Sequence, residues 1–143
     1  MKLEGRVLLF DAVNKNGNIF PKTCEINIPE RMPLLWDFQF DRCIGHCEAA
    51  IDKKGITVKA VTFSDKTIED TLKDILSDGK IGVGGFYNNI KTHNDNNLIV
   101  VDEATLRCVS LTLKPVNKEY SLEIVKETLY WNKWCFINKR KGE

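Results

Sequence analysis

The sequence predicts an α+β domain that is mainly antiparallel β-strand with one or two helices, and three observations carry that expectation. Short β-leaning runs alternate with Asn-, Gly- and Pro-rich turn signals along most of the chain. One stretch, residues 67–77, departs from this pattern and repeats its apolar residues at helical spacing. The length of 143 residues, with ordinary hydrophobic and charged content, suits a single domain that buries one real core.

Residues 2–13 read as a first strand around Val7, Leu8, Leu9 and Phe10. Asn14-Lys15-Asn16-Gly17-Asn18 is a strong turn signal, because Asn and Gly tolerate the positive φ of tight turns. Ile19-Phe20-Pro21 leads into an edge-like strand over 23–28. Leu34, Leu35 and Trp36 form a buried apolar run bounded by Pro33, and a second apolar segment opens at Ile44-Gly45. The link between them carries one cation, Arg42. Residues 44–63 form a hairpin of two β-branched runs around Asp52-Lys53-Lys54-Gly55.

The helix follows, with Ile68, Leu72, Ile75 and Leu76 on one face. Ser64, Asp65 or Thr67 can cap its start, and Asp78-Gly79 is expected to end it. Its carboxylates Glu69, Asp70, Asp74 and Asp78 read as a solvated face. Residues 81–86 hold three glycines in a β-run, which calls for close backbone approach. No helix start or Lys-Ser/Thr pair follows them, so a phosphate cradle is set aside. Asn-rich residues 87–97 read as an exposed loop containing a solvated His93. Residues 98–101 and 106–113 read as two strands. Residues 118–129 fit either a helix, with Tyr120, Ile124 and Leu129 partly in phase, or another strand.

A net charge of +1 selects no class of partner. No apolar run is long enough for a membrane span or a signal peptide, so a protein made and kept in a cytoplasm, without membrane contact, is expected. Five cysteines (Cys24, Cys43, Cys47, Cys108, Cys135) read as free thiols in a reducing compartment. Cys43-x-x-His46-Cys47 brings three metal-ligand types together, but neighbouring strand residues point to opposite faces. Packing is therefore expected and no metal or cofactor. The tail concentrates Tyr130, Trp131, Trp134 and Phe136 beside Lys133, Lys139, Arg140 and Lys141. Residues 1–129 are expected to be the domain. Residues 130–143 read as an arm, either packed on the domain or contacting a partner through aromatic and cationic anchors. So few cations disfavour nucleic acid.

Three of these segments, in order, resemble the prohead (capsid maturation) proteases of tailed phages, serine proteases of the herpesvirus-assemblin fold. They are the Asx/Gly-rich loop with its apolar-x-Pro step (NKNGNIFPK), the LLWDFQFDRCIG segment, and the strand Val109-Ser110-Leu111 with the exit Pro115-x-Asn117. The likeness covers about residues 3–117 and implies a compact β-barrel-like α+β domain, dimeric in the herpesvirus relatives, at work in an assembling capsid. In that family a His follows the Trp by two residues, and here Phe38 stands there. The nucleophilic Ser position, counted back from Gly85-Phe86, reads Val83. The usual acid reads Cys108, and Ser110 belongs to the strand pattern rather than replacing the nucleophile. Phe38 cannot accept a proton and Val83 has no nucleophilic atom.

The resemblance thus implies a non-enzymatic virion protein, an auxiliary, decorating or assembly component of a capsid. Its partners would be capsid or other virion proteins, with a homodimer as the family's pattern. The alternative is an active peptidase with a relocated site, such as Cys43, Cys47 or Cys108 paired with His46.

Overall fold

The computed structural model describes residues 1–76 and 79–125. Nine strands and one helix follow each other as β1 (Lys2–Leu9), β2 (Asn18–Ile19), β3 (Glu25–Asn27), β4 (Met32–Trp36), β5 (Gln39–Ile51), β6 (Gly55–Thr62), α1 (Lys66–Ile75), β7 (Lys80–Asp95), β8 (Leu98–Leu111) and β9 (Ser121–Ile124). Hydrogen bonding runs β8-β4-β5-β6-β1-β9-β7 and returns from β7 to β8, so seven strands close into a barrel. The described chain is therefore mostly strand with one short helix, not an even mixture of the two. Within it, residues 121–124 settle on the strand alternative.

Most neighbours are antiparallel, but β8 breaks that rule along its second edge. There β2, β3 and then β4 lie parallel to it in succession, meeting it at Ile99–Val100, Glu103–Thr105 and Val109–Leu111 respectively. One long strand therefore serves as the spine against which the N-terminal third is laid down.

Alternation explains the core. On β6, Ile56, Val58, Ala60 and Thr62 face inward and are buried, while Lys59 and Val61 face out. Leu3, Leu34, Leu106, Val109, Leu111 and Leu122 complete a continuous interior. Pro33 sits inside β4 rather than at its boundary; its side chain is exposed.

The helix begins where Asp65 accepts a hydrogen bond from the Ile68 N–H, in line with the capping pattern. It ends at Ile75, earlier than expected, with the Leu76 N–H closing on the Leu72 carbonyl. Gly79 does take a left-handed conformation (φ +75°), but beyond the helix, at the entry to β7.

The region 87–97 is a correction. It is no loop: β7 continues through it to Asp95 and pairs with β8, which is itself one strand rather than two. Asn96 and Asn97 both adopt positive φ (+48° and +67°), the geometry of a two-residue hairpin turn that Asn tolerates. Asn89, also at positive φ, lies in the irregular register between Asn88 and Lys91, so the ladder absorbs the polar stretch through a bulge. No helix among the described residues is long and apolar enough to cross a membrane.

Candidate functional site

The positions singled out from sequence, Phe38, Val83 and Cys108, lie in the turn after β4 and on β7 and β8, and the outer face of the barrel over β7 and β8 is where Phe38 packs. The turn between β4 and β5 reaches it. Asp37 and Phe38 both have positive φ (+50° and +56°) and join the paired residues Trp36 and Gln39. A bulky residue rarely adopts this conformation, which is strained by about 1–3 kcal/mol. Three contacts hold it. The Asp37 N–H donates to the Leu111 carbonyl at 2.8 Å, the Phe38 N–H donates to Ser110 Oγ at 2.7 Å, and the Phe38 ring lies over Gly84.

The glycines of β7 now have their reason. A Cβ at Gly84 would come within 2.7 Å of Phe38 Cζ, and one at Gly82 within 2.5 Å of the Thr112 carbonyl oxygen. Both face outward and are roofed by the segments that cross them. Gly84 also pairs with Ser110, so Phe38, Gly84 and Ser110 converge on one point.

Of the three positions inferred from sequence, only Phe38 sits at that point. Val83 is wholly buried and faces the barrel interior; the outward residue beside Phe38 is Gly84. Cys108 pairs with Phe86, one step along the sheet, and is buried. Ser110, which carries the only hydroxyl of the trio, is fully buried, accepts from Phe38 N–H and donates to the Leu111 carbonyl. Among the described residues its hydrogen-bond partners are these two backbone groups and no side-chain base, so they do not activate the hydroxyl for attack.

Burial bears on three of the described thiols. Burial, with Cys108 and Cys43 nearby, pushes the Cys47 thiol up to about 12, and burial raises Cys108 and Cys24 as well. A reactive cysteine needs the opposite shift. Cys43 is exposed, but its Sγ donates to the Gly45 carbonyl at 3.2 Å. His46 lies on the other face of β5 from Cys47, and no hydrogen bond among the described residues joins it to a cysteine. Among the described residues, no three His, Cys, Asp or Glu side chains are arranged to hold a metal. His93, expected free in a loop, instead faces Asp102 across the hairpin at 2.8 Å.

Sequence reasoning missed what surrounds the point of convergence. Phe40 and Phe86 pack edge to face, with ring centroids 5.1 Å apart at 86°. Phe40 is nevertheless 67% exposed, and Phe38 and Phe86 are partly so. Leu113, 68% exposed, lies beside Trp36 and Asp37. The available signal was Phe38-x-Phe40, one aromatic in the turn and the next two residues on in β5. On the other side of Phe38 opens a cavity of about 400 Å³ that Gly84, Gly85, Tyr87, Thr112 and Tyr120 help to line. The Tyr87 hydroxyl is buried there with no hydrogen-bond partner among the described residues, and burial raises its pKa.

The arm residues Tyr130, Trp131, Trp134, Phe136, Lys139, Arg140 and Lys141, and Cys135, lie outside the described residues. No family model matches the chain, and no curated protein matches it.

Proposed function

We propose that this protein is a non-enzymatic component of a phage virion, an auxiliary, decorating or assembly protein of the capsid built on a prohead-protease-like barrel. The observation that supports this reading most is the placement of Phe38. Where the resembled family keeps its general base, this chain holds an aromatic ring in a strained turn over Gly84. Losing the base or nucleophile of a serine protease lowers kcat on the order of a million-fold. Meanwhile Phe38, Phe40, Phe86 and Leu113 leave on the same face apolar surface that a partner can bury. A face that would cut has become a face that binds.

In this reading the partner is a capsid or other virion protein, and the chain is made in the host cytoplasm and carried into the virion. The basic and aromatic arm at 130–143 adds a second contact, with Lys139, Arg140 and Lys141 meeting an acidic rim. Mass spectrometry of purified virions of the encoding phage tests it. The protein should be present at a fixed ratio to the major capsid protein; its absence from virions and from assembling proheads would refute the reading.

A further inference from the structure

The cavity of about 400 Å³ beside Phe38 lies in the size range of small-molecule pockets. Phe20, Phe38, Tyr87 and Val101 give it a mainly apolar wall rich in rings. The Phe20 and Tyr87 rings pack tilted, with centroids 5.0 Å apart at 43°. Several polar groups of the wall are already engaged by the chain. The Tyr120 hydroxyl accepts from the Leu9 N–H at 3.1 Å, Asn14 Oδ1 accepts from the Asn16 and Asn18 N–H groups, and Thr112 Oγ1 accepts from the Lys114 N–H.

Tyr87 contrasts with them. Its hydroxyl oxygen is buried with no hydrogen-bond partner among the described residues, a destabilising state for a donor. The rest of the side chain is partly open, and the hydroxyl rests over Gly85, where a Cβ would lie 2.9 Å from it. Gly85 and Tyr87 both belong to the cavity wall, so the hydroxyl lies just behind that surface. A phenylalanine would fill the same wall without an unmade hydrogen bond. The hydroxyl therefore points to an acceptor brought by a ligand.

A donor set in an apolar wall selects a neutral acceptor. An ionised carboxylate would lose its hydration there, and Lys114, the cation on the lining, has an exposed side chain that cannot follow it inward. A carbonyl loses less on burial, and an aromatic body would pack against Phe20 and Phe38. We propose that the cavity binds a small aromatic carbonyl compound, whose oxygen accepts a hydrogen bond from Tyr87 after a slight swing of the phenol ring. This inference stands apart from the capsid reading and is tested without it.

The test titrates the full-length protein, with labelled isoleucine and valine methyl groups, with acetophenone, ethylbenzene and benzoate, followed by NMR. Acetophenone and ethylbenzene differ by a carbonyl against a methylene, and benzoate adds a charge. Acetophenone should shift the Ile90, Ile99 and Val101 methyl signals, which line the cavity, and should bind about five- to tenfold tighter than ethylbenzene. Tyr87→Phe should erase that preference, while the core methyls of Ile56 and Val109 report that the variant is folded. Unchanged cavity methyls, a native protein without the preference, or a preference that survives Tyr87→Phe would each overturn the proposal. Benzoate binding tighter than acetophenone would overturn it too, by making the ligand an anion.

Discussion

Inside the barrel, Leu34, Ile56, Leu111 and Leu122 have no exposed surface, whereas across the outer face Phe40 and Leu113 are about two-thirds open. Both regions are made from large apolar side chains on neighbouring strands. The interior is satisfied by the chain's own closure, since β7 meets β8 and completes the ring. The outer face is only partly satisfied: Phe38 covers Gly84 and Phe40 leans on Phe86, and the remaining apolar surface faces solvent. On the proposed reading, the difference separates stability from function. Removing atoms from the first region should unfold the protein, and changing the second should alter what it touches.

The largest effect is expected at Leu122, which packs inside the barrel on the short strand joining β1 to β7. Leu122→Ala should lower the unfolding free energy by about 2–5 kcal/mol, read by chemical denaturation. A loss under about 1 kcal/mol would mean that β9 is not an integral stave of the barrel.

Next comes an attempt to install the resembled family's base and nucleophile. Val83→Ser with Phe38→His should not produce peptidase activity, because residue 83 faces inward and its hydroxyl would be buried away from residue 38. Val83→Ser alone should destabilise by about 1–3 kcal/mol. If a fluorophosphonate probe labelled the double variant at position 83, with no loss of stability, the face would have been assigned wrongly.

The inward face of Val83 also shows what was legible in the sequence. The helix was, because Ile68, Leu72 and Ile75 repeat at 3.6 and Asp65 caps them. So was the hairpin over 44–63, because β-branched runs flank Asp52–Gly55. Counting back from Gly85-Phe86 lands on Val83, but strand side chains alternate with period two. A slip of one residue exchanges the inner face for the outer, and nothing local in a glycine run fixes the parity. The partners of β8 were equally hidden, since parallel pairing of β2 and β3 leaves no turn signal between them. The Asn-rich stretch misleads because its polar composition masks the Asn96-Asn97 turn it contains.

The smallest effect belongs to the Arg6–Asp52 pair, which ties β1 to the β5–β6 turn with two hydrogen bonds of 2.9 and 2.8 Å. Hydrogen bonding from Arg6, helped by the Lys54 and Gly55 N–H groups, holds the Asp52 carboxyl well below the usual carboxylate range. A depressed folded-state pKa stabilises the protein above the unfolded value, about 3.9, and that contribution fades as pH falls toward the folded value. Asp52→Asn should therefore lower Tm slightly at neutral pH. The gap from the native protein should narrow in scans below about pH 4. A gap that widened on acidification would contradict the assignment.

The proposed binding role of the outer face is tested most directly by co-sedimentation with tailed-phage capsid shells, the partner that the proposal names, comparing the native protein with Phe40→Glu on one gel. Phe40 is largely exposed and packs mainly on Phe86, so the substitution should lower stability by no more than about 1.5 kcal/mol and leave the barrel folded. The native protein should pellet with the shells and leave the capsid band at full length, while Phe40→Glu should stay in the supernatant. A shortened capsid band would show that the protein cuts, and equal pelleting of both proteins would show that this is not the face that binds.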